Sequence, residues 1–437
     1  MHRILKALLL SAAVASPAAA FAQPSASRPA TSGALMAGSA RVAITPAVAD
    51  LPAAFKTITD PIYVRALVLD NGATRSAIVV GDLPTIAPAE LAQLQRGIAA
   101  EIKAPVQNVL VAITHSHSSV RIDHTVEGIL LPGSPKISDM TMAGFIQAVR
   151  QALVTMQPAQ AGYAQGRTMV IGRRAQQTAI ANNPDEALAP DTTLNVFKVE
   201  TLSGEPIAFL INSGLEPVMI APLSGEVSAD VAGATERYVE TRYGDKPVAM
   251  YTVGSISQGA YSARRQGSVP PGDPHVLMQA VGAIMGEDVL ATAARIKPTT
   301  ALTISALLAN LDCPGKVTTP LNTPAQCSDA PGAKLPKCVF TDHDSPPVRL
   351  QMGVLKLGDL TLAEADANVT QPVWQRLKSQ APPNTALVAM VYGPMKYVVD
   401  DSVYASNNYQ ATATTAKRGC AAEGFVKTSL EMIQKVR

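Results

Sequence analysis

From Val42 onward the chain alternates two hydrophobic patterns: short unbroken apolar runs, and longer segments with an apolar residue every third or fourth position. The first is the pattern of buried strands, the second that of amphipathic helices. Tyr63–Asp70 and Arg75–Val80 are β-rich and flank Asn71-Gly72, a hairpin signal because both residues accept positive φ. Pro88–Ile102 predicts a helix with Leu91, Leu94 and Ile98 on one face, and Met140–Met156 another with Phe145, Val149 and Leu153. Further strands are expected at Asn108–Ile113, Asn195–Glu200, Ile207–Asn212, Val248–Val253, Leu302–Leu307 and Ala386–Val391, with a strand-turn-strand at Gly353–Ala363. Helices are expected at Ala229–Thr241, Pro274–Ala294, Pro372–Gln380 and Gly424–Lys435. The alternation predicts an α/β fold of layered mixed sheets with flanking helices, as a single large domain over residues 39–437. Functional residues are then expected in loops at strand ends.

The N-terminus reads differently. Arg3 and Lys6, the apolar run Ala7–Ala15 and the small-x-small site Ala20-Phe21-Ala22 form a secretory signal peptide over 1–22, cleaved after Ala22. Residues 23–38 are Ser/Ala/Pro-rich and read as a flexible leader. No later segment reaches about 18 uninterrupted apolar residues, so no transmembrane segment is expected, and the destination is periplasmic or secreted. The net charge is +2 with no basic run, which argues against nucleic acid as a partner. Nothing in the pattern sets an oligomeric state. An even count of cysteines in an oxidising compartment, Cys313, Cys327, Cys338 and Cys420, favours two disulfides, with three pairings open. Three of the four lie in a Pro-rich stretch near 312–347, read as a long loop or hairpin insertion.

Candidate chemistry concentrates after the run Val109–Ile113. Two of the chain's six histidines, His115 and His117, follow it one residue apart. In extended backbone, positions i and i+2 share a side, so both rings can face one small volume. Imidazole is the commonest metal ligand and the usual general base near neutral pH, so the pair points to a metal or acid/base site. Asp82 ends an apolar strand, where it either orients an active-site imidazole or caps the next helix. Asp230 opens a helix and is read first as a complement to its dipole. Gly254-Ser255-Ile256-Ser257-Gln258-Gly259 follows a strand without the Gly-x-Ser-x-Gly spacing, which disfavours a serine hydrolase.

Several blocks, in order, resemble the N-terminal catalytic region of the neutral/alkaline non-lysosomal ceramidase family, as in a divergent member. They are Ser39–Pro46 with its Ile44-Thr45-Pro46, Asp60–Asp70, Val79–Leu83, Ser228-Ala229-Asp230, Gly358–Leu362, Gly393–Tyr397 and Asn407-Asn408-Tyr409. The most specific is Thr114-His115-Ser116-His117-Ser118. The resemblance implies a ceramidase N-terminal-domain-like fold. It also implies a secreted zinc amidohydrolase that splits the amide bond of a ceramide-like N-acyl lipid, or a related small substrate, by metal-activated water.

The family's zinc is held by two His, one Glu and one Tyr. His115 matches the first His, His117 the neighbouring His that lines the substrate site, and Tyr397 the Tyr. Glu216, in Asn212-Ser213-Gly214-Leu215-Glu216-Pro217, stands where the second ligand His is expected, and Asn368 where the Glu is expected. The resemblance thus implies His115, Glu216 and Tyr397 as metal ligands, with Asp366 as a substitute for Asn368 because i and i+2 share a strand face. His117 and Tyr397 are implied as catalytic groups that stabilise the oxyanion or relay the proton. Asp82, Asp230, Ser255, Asn368 and Tyr409 are expected beside the ligands or against the substrate, Ser255 in a loop presenting backbone N–H groups. The two altered ligand positions leave two alternatives: a catalytically inactive ceramidase-fold protein that binds a lipid or small molecule, and a hydrolase of another bond. The chain ends soon after the last block, so the C-terminal β-sandwich domain of full-length ceramidases is expected to be missing.

Overall fold

The computed structural model describes residues 34–122, 134–171, 190–220, 224–255, 273–319, 341–391, 393–405 and 409–436. In chain order the strands are β1 (Met36–Ala43), β2 (Thr57–Ile58), β3 (Tyr63–Asp70), β4 (Arg75–Gly81), β5 (Val109–Ile113), β6 (Gln157–Arg167), β7 (Thr193–Thr201) and β8 (Pro206–Ser213). They continue as β9 (Glu226–Val227), β10 (Val248–Val253), β11 (Ile304–Thr319), β12 (Thr341–Leu357), β13 (Leu360–Ala365), β14 (Asn368–Val369), β15 (Thr385–Ala389) and β16 (Tyr397–Val398). The helices are α1 (Pro88–Ile102), α2 (Pro135–Val154), α3 (Asp230–Thr241), α4 (Pro274–Ala293), α5 (Gln371–Lys378), α6 (Tyr409–Ala413) and α7 (Ala421–Lys435).

Eight strands form one sheet in the order β10-β8-β7-β6-β1-β3-β4-β5, and four form a second in the order β11-β12-β13-β15. Both sheets are mixed: β4/β5, β8/β10 and β13/β15 run parallel, and their other neighbours antiparallel. Strands β5 and β10 are buried along their whole length, which is why they read as unbroken apolar runs rather than alternating ones. The parallel pairs matter for function, because their C-terminal ends meet. Ile113 N donates to Met390 O just past β15 at 2.9 Å, and the Asn212 side chain on β8 donates to Leu387 O on β15 at 2.8 Å.

Packing across the layers is close. A Cβ on Gly38 would lie 2.0 Å from Ala152 O, so glycine in β1 is what lets α2 lie against the sheet. Arg65, 1 % exposed in the middle of β3, pairs with Asp82 at 2.8 Å, Glu236 at 2.9 Å and Glu240 at 3.7 Å. This network ties β3 and β4 to α3. By length and composition α4 is apolar enough to cross a membrane. Here it buries Met278, Val281, Met285 and Val289 in the core that it shares with α3, β7 and β10.

The structure differs from the sequence reading at two points and narrows it at a third. β1 begins at Met36, inside the stretch read as leader, because Leu35 and Ala37 are buried and Met36 pairs with Asp70. β6 was not legible: Gln157–Arg167 is rich in Gln, Ala and Gly and largely half-exposed, and its pairing with β7 and β1 makes it a strand. The described flanks of the Cys/Pro-rich stretch, up to Thr319 and from Thr341, pair antiparallel as the outer parts of β11 and β12, which agrees with the hairpin alternative. Cys313 on β11 is disulfide-bonded to Cys420 at the start of α7, which fixes one of the expected bridges. Cys327, Cys338 and the expected signal peptide lie outside the described residues.

Candidate metal centre

The candidate site is built where β5 and β8 end. After Ile113 the chain leaves extended geometry, and His115 takes φ +60°. A non-glycine residue there carries strain of order 1–3 kcal/mol, the kind retained where a side chain must be aimed. The turn brings the rings of His115 and His117 together, with Nε2 atoms 3.3 Å apart and ring planes at 84°. The expected convergence is real, but its cause is this turn and not strand alternation. Glu216 enters from the loop after β8, its Oε1 at 3.2 Å from His117 Nε2 and 3.6 Å from His115 Nε2. That loop is fixed by Tyr251, whose hydroxyl donates to Leu215 O at 2.6 Å, and by His117 N, which donates to Pro217 O at 3.2 Å. Asn368 closes a fourth side, with Nδ2 at 3.4 Å from His115 Nε2.

His115, His117 and Glu216 form a group whose ligand atoms all lie within 4.8 Å of one another. Tetrahedral ligands about 2.1 Å from a zinc ion sit roughly 3.4 Å apart, so the observed spacings of this nitrogen–nitrogen–oxygen set fit such an ion. The imidazole chemistry fits too. His115 Nδ1 lies 2.7 Å from Pro84 O, to which it donates, leaving the Nε2 lone pair for a cation. Burial, with His117 adding to it and Glu216 opposing, pulls the His115 pKa down to about 4, so the ring is neutral at physiological pH. His117 is half-buried, its side chain 30 % exposed, and gives the group its solvent-facing side.

No protein-family model and no curated protein matches this sequence. Solved structures do. A neutral ceramidase from Pseudomonas aeruginosa superposes with a TM-score of 0.74 and 16% identity, over 92% of this chain and 74% of that one. A ceramidase complexed with C2 gives 0.75 and 16%, over 92% and 75%. The fold is that of a neutral ceramidase.

Within this ceramidase fold the expected residues separate into those the structure brings together and those it does not. His115, His117, Glu216 and Asn368 converge. Tyr397 is buried on β16, its backbone paired in register with Asn368. Asp366 does not join the group. The chain bends at Asp366-Ala367, so strand alternation between 366 and 368 is lost, and the Asp366 carboxylate accepts Gln351 N at 2.9 Å instead. Burial pushes its pKa up to about 7. Asp82 neither orients an imidazole nor caps α1: it accepts from Arg65 and Tyr63 N, both at 2.8 Å, and the orienting acceptor is Pro84 O, two residues on. Sequence reasoning missed that backbone carbonyl, which no side-chain pattern reveals.

Asp230 is no simple dipole partner. It has φ +55°, and its carboxylate accepts Ile220 N at 2.8 Å and Met219 N at 3.2 Å, from the segment after Glu216. Burial, opposed by these bonds, raises its pKa to about 6. Ser255 is buried beside Gly214, at the base of the Glu216 loop, and the preceding Gly254 N–H is already bonded to Ser213 O at 2.7 Å. That N–H is therefore not available to a substrate. Tyr409 opens α6, with its side chain, like Asn407 and Asn408, outside the described residues.

Proposed function

We propose that this chain is a secreted, zinc-dependent hydrolase that cleaves the amide bond of a ceramide-like N-acyl lipid or a related small substrate. The observation that carries the reading is the His115–His117–Glu216 group at the ends of β5 and β8, on a fold shared with neutral ceramidases. His115, His117 and Glu216 would hold the ion, three protein ligands with a position left open, as catalytic zinc sites require. When bound, the ion supplies Lewis acidity, lowering the pKa of water and polarising the scissile carbonyl.

The chain's own groups supply the rest. Pro84 O fixes the His115 tautomer. Asn368 presents an amide N–H beside the ligand atoms, where it can donate to an oxyanion developing on the carbonyl oxygen. Tyr397, in register with Asn368, is the hydroxyl assigned to the proton relay. We assign His117, expected as a catalytic group, to the ligand set instead, and its distances to His115 and Glu216 support that assignment. Products are a fatty acid and an amine.

One observation favours a second reading, a ceramidase fold without hydrolase activity: Asn368, a poor zinc ligand, stands where a ligand Glu is expected. Elemental mass spectrometry of the purified mature protein, followed by hydrolysis of N-acyl lipids, decides between them. Near-stoichiometric zinc with amide cleavage supports the enzyme. Absence of metal after incubation with zinc overturns it.

A further inference from the structure

The candidate ligands sit on two loops from different strands, and both loops are fastened to one turn, Ser228-Ala229-Asp230, at the head of α3. On the histidine side, Ser116 Oγ donates to Ser228 O and Ser228 N donates to Ser118 O, each at 2.8 Å. On the glutamate side, the Asp230 carboxylate takes the N–H groups of Met219 and Ile220. The turn is braced from behind by Asp60, which accepts Ser228 Oγ at 2.5 Å, and Ala229 N and Arg237 Nη1 both at 3.0 Å. An aspartate that only complemented a helix dipole would direct its oxygens at its own first turn. Here one bond goes to Val231 N, and two leave the helix for the segment following Glu216.

We propose that Asp230 is a positioning residue that sets the distance between Glu216 and the His115–His117 loop, so that three side chains from two strands can share one ion. The inference rests on the metal reading for its consequence, and on the hydrogen bonds alone for the coupling of the loops. Asp230 is 0 % exposed, which removes solvent as a competitor for these bonds. Its left-handed backbone costs free energy that the bonds to Met219 and Ile220 offset.

The test compares the mature wild-type chain with Asp230→Asn, a residue that accepts positive φ and keeps one acceptor oxygen. Hydrogen–deuterium exchange is read on peptides covering 214–220 and 115–119, and cobalt(II) binding by its visible spectrum. The expected result is lost protection in both peptides, with α3 still protected. Cobalt affinity should fall about 10- to 100-fold. Unchanged protection at 115–119 together with wild-type cobalt affinity would overturn the proposal, whatever happens to thermal stability. If the wild type takes up no cobalt, the metal reading fails, and exchange alone decides the coupling. Should Asp230→Asn not fold, Ser116→Ala removes a single bond to the same turn. It should lower cobalt affinity up to about tenfold, and wild-type affinity and exchange in that variant overturn the proposal.

Discussion

The backbone N–H of His117 donates to the carbonyl of Pro217 at 3.2 Å, so the histidine loop is bonded directly to the residue after Glu216. Metal capability here belongs to a pair of loops held in register, and either loop alone offers at most two donors. Removing one donor should therefore cost far more affinity than stability. His115→Ala and Glu216→Gln are each expected to lower zinc retention at least 100-fold, with circular dichroism unchanged. Elemental analysis after dialysis against a weak chelator checks this, and retention at the wild-type level in either variant would sink the assigned ligand set.

Asn368 offers the opposite experiment. Its amide is 3.4 Å from His115 Nε2 and 2 % exposed. Asn368→Asp puts a carboxylate at nearly the same place without changing volume, adding a charged oxygen to the set. Zinc should bind about tenfold or more tightly in a competition titration, while amide hydrolysis falls because the N–H donor is gone.

Glu364 predicts a pH dependence of stability. Burial alone pushes its pKa from 4.5 up to about 8, and Asp366 moves the same way, to about 7. In this window the folded state holds protons that the unfolded chain has released, so stability falls as pH rises. The contribution is fully present below about pH 4 and is lost progressively up to about pH 8. Glu364→Gln should raise stability by about 2–5 kcal/mol at pH 8.5 and change it little at pH 4.5, read by denaturant titration at both values. Equal effects at the two pH values would contradict the assignment.

Arg65 faces Asp82, Glu236 and Glu240 inside the protein. Arg65→Met leaves the buried Asp82 and Glu236 without their cation, while Glu240 keeps its pair with Arg41, and the expected loss is about 3–5 kcal/mol. A variant that keeps its melting temperature within a degree or two of the wild type refutes this account of how α3 is held.

The Cys313–Cys420 bridge closes a loop with a sequence separation of 107. Replacing both cysteines by serine should lower stability by about 3–5 kcal/mol through the freedom returned to the unfolded chain. Thermal melts of the double variant beside the wild type, both unreduced, measure it.

Strands and helices whose burial is uniform or strictly periodic, such as Val109–Ile113 and Pro88–Ile102, were legible in the amino-acid pattern alone, because local pattern reports burial when one environment runs the length of an element. The His pair of the site was legible in the same way, as two imidazoles following a buried strand, whereas Glu216 and Asn368 were reached only through the family resemblance. Tertiary structure decided what depended on partners distant in the chain. β6 is a strand only because β7 and β1 pair with it. Asp82 turned to Arg65 and left the imidazole to a backbone carbonyl. Asp366 was turned away from the ligands by a bend of two residues. Asp230 became the link between two loops rather than the head of one helix. A carboxylate's role follows from which donors reach it in space, and one-dimensional spacing carries that information only within a single regular element.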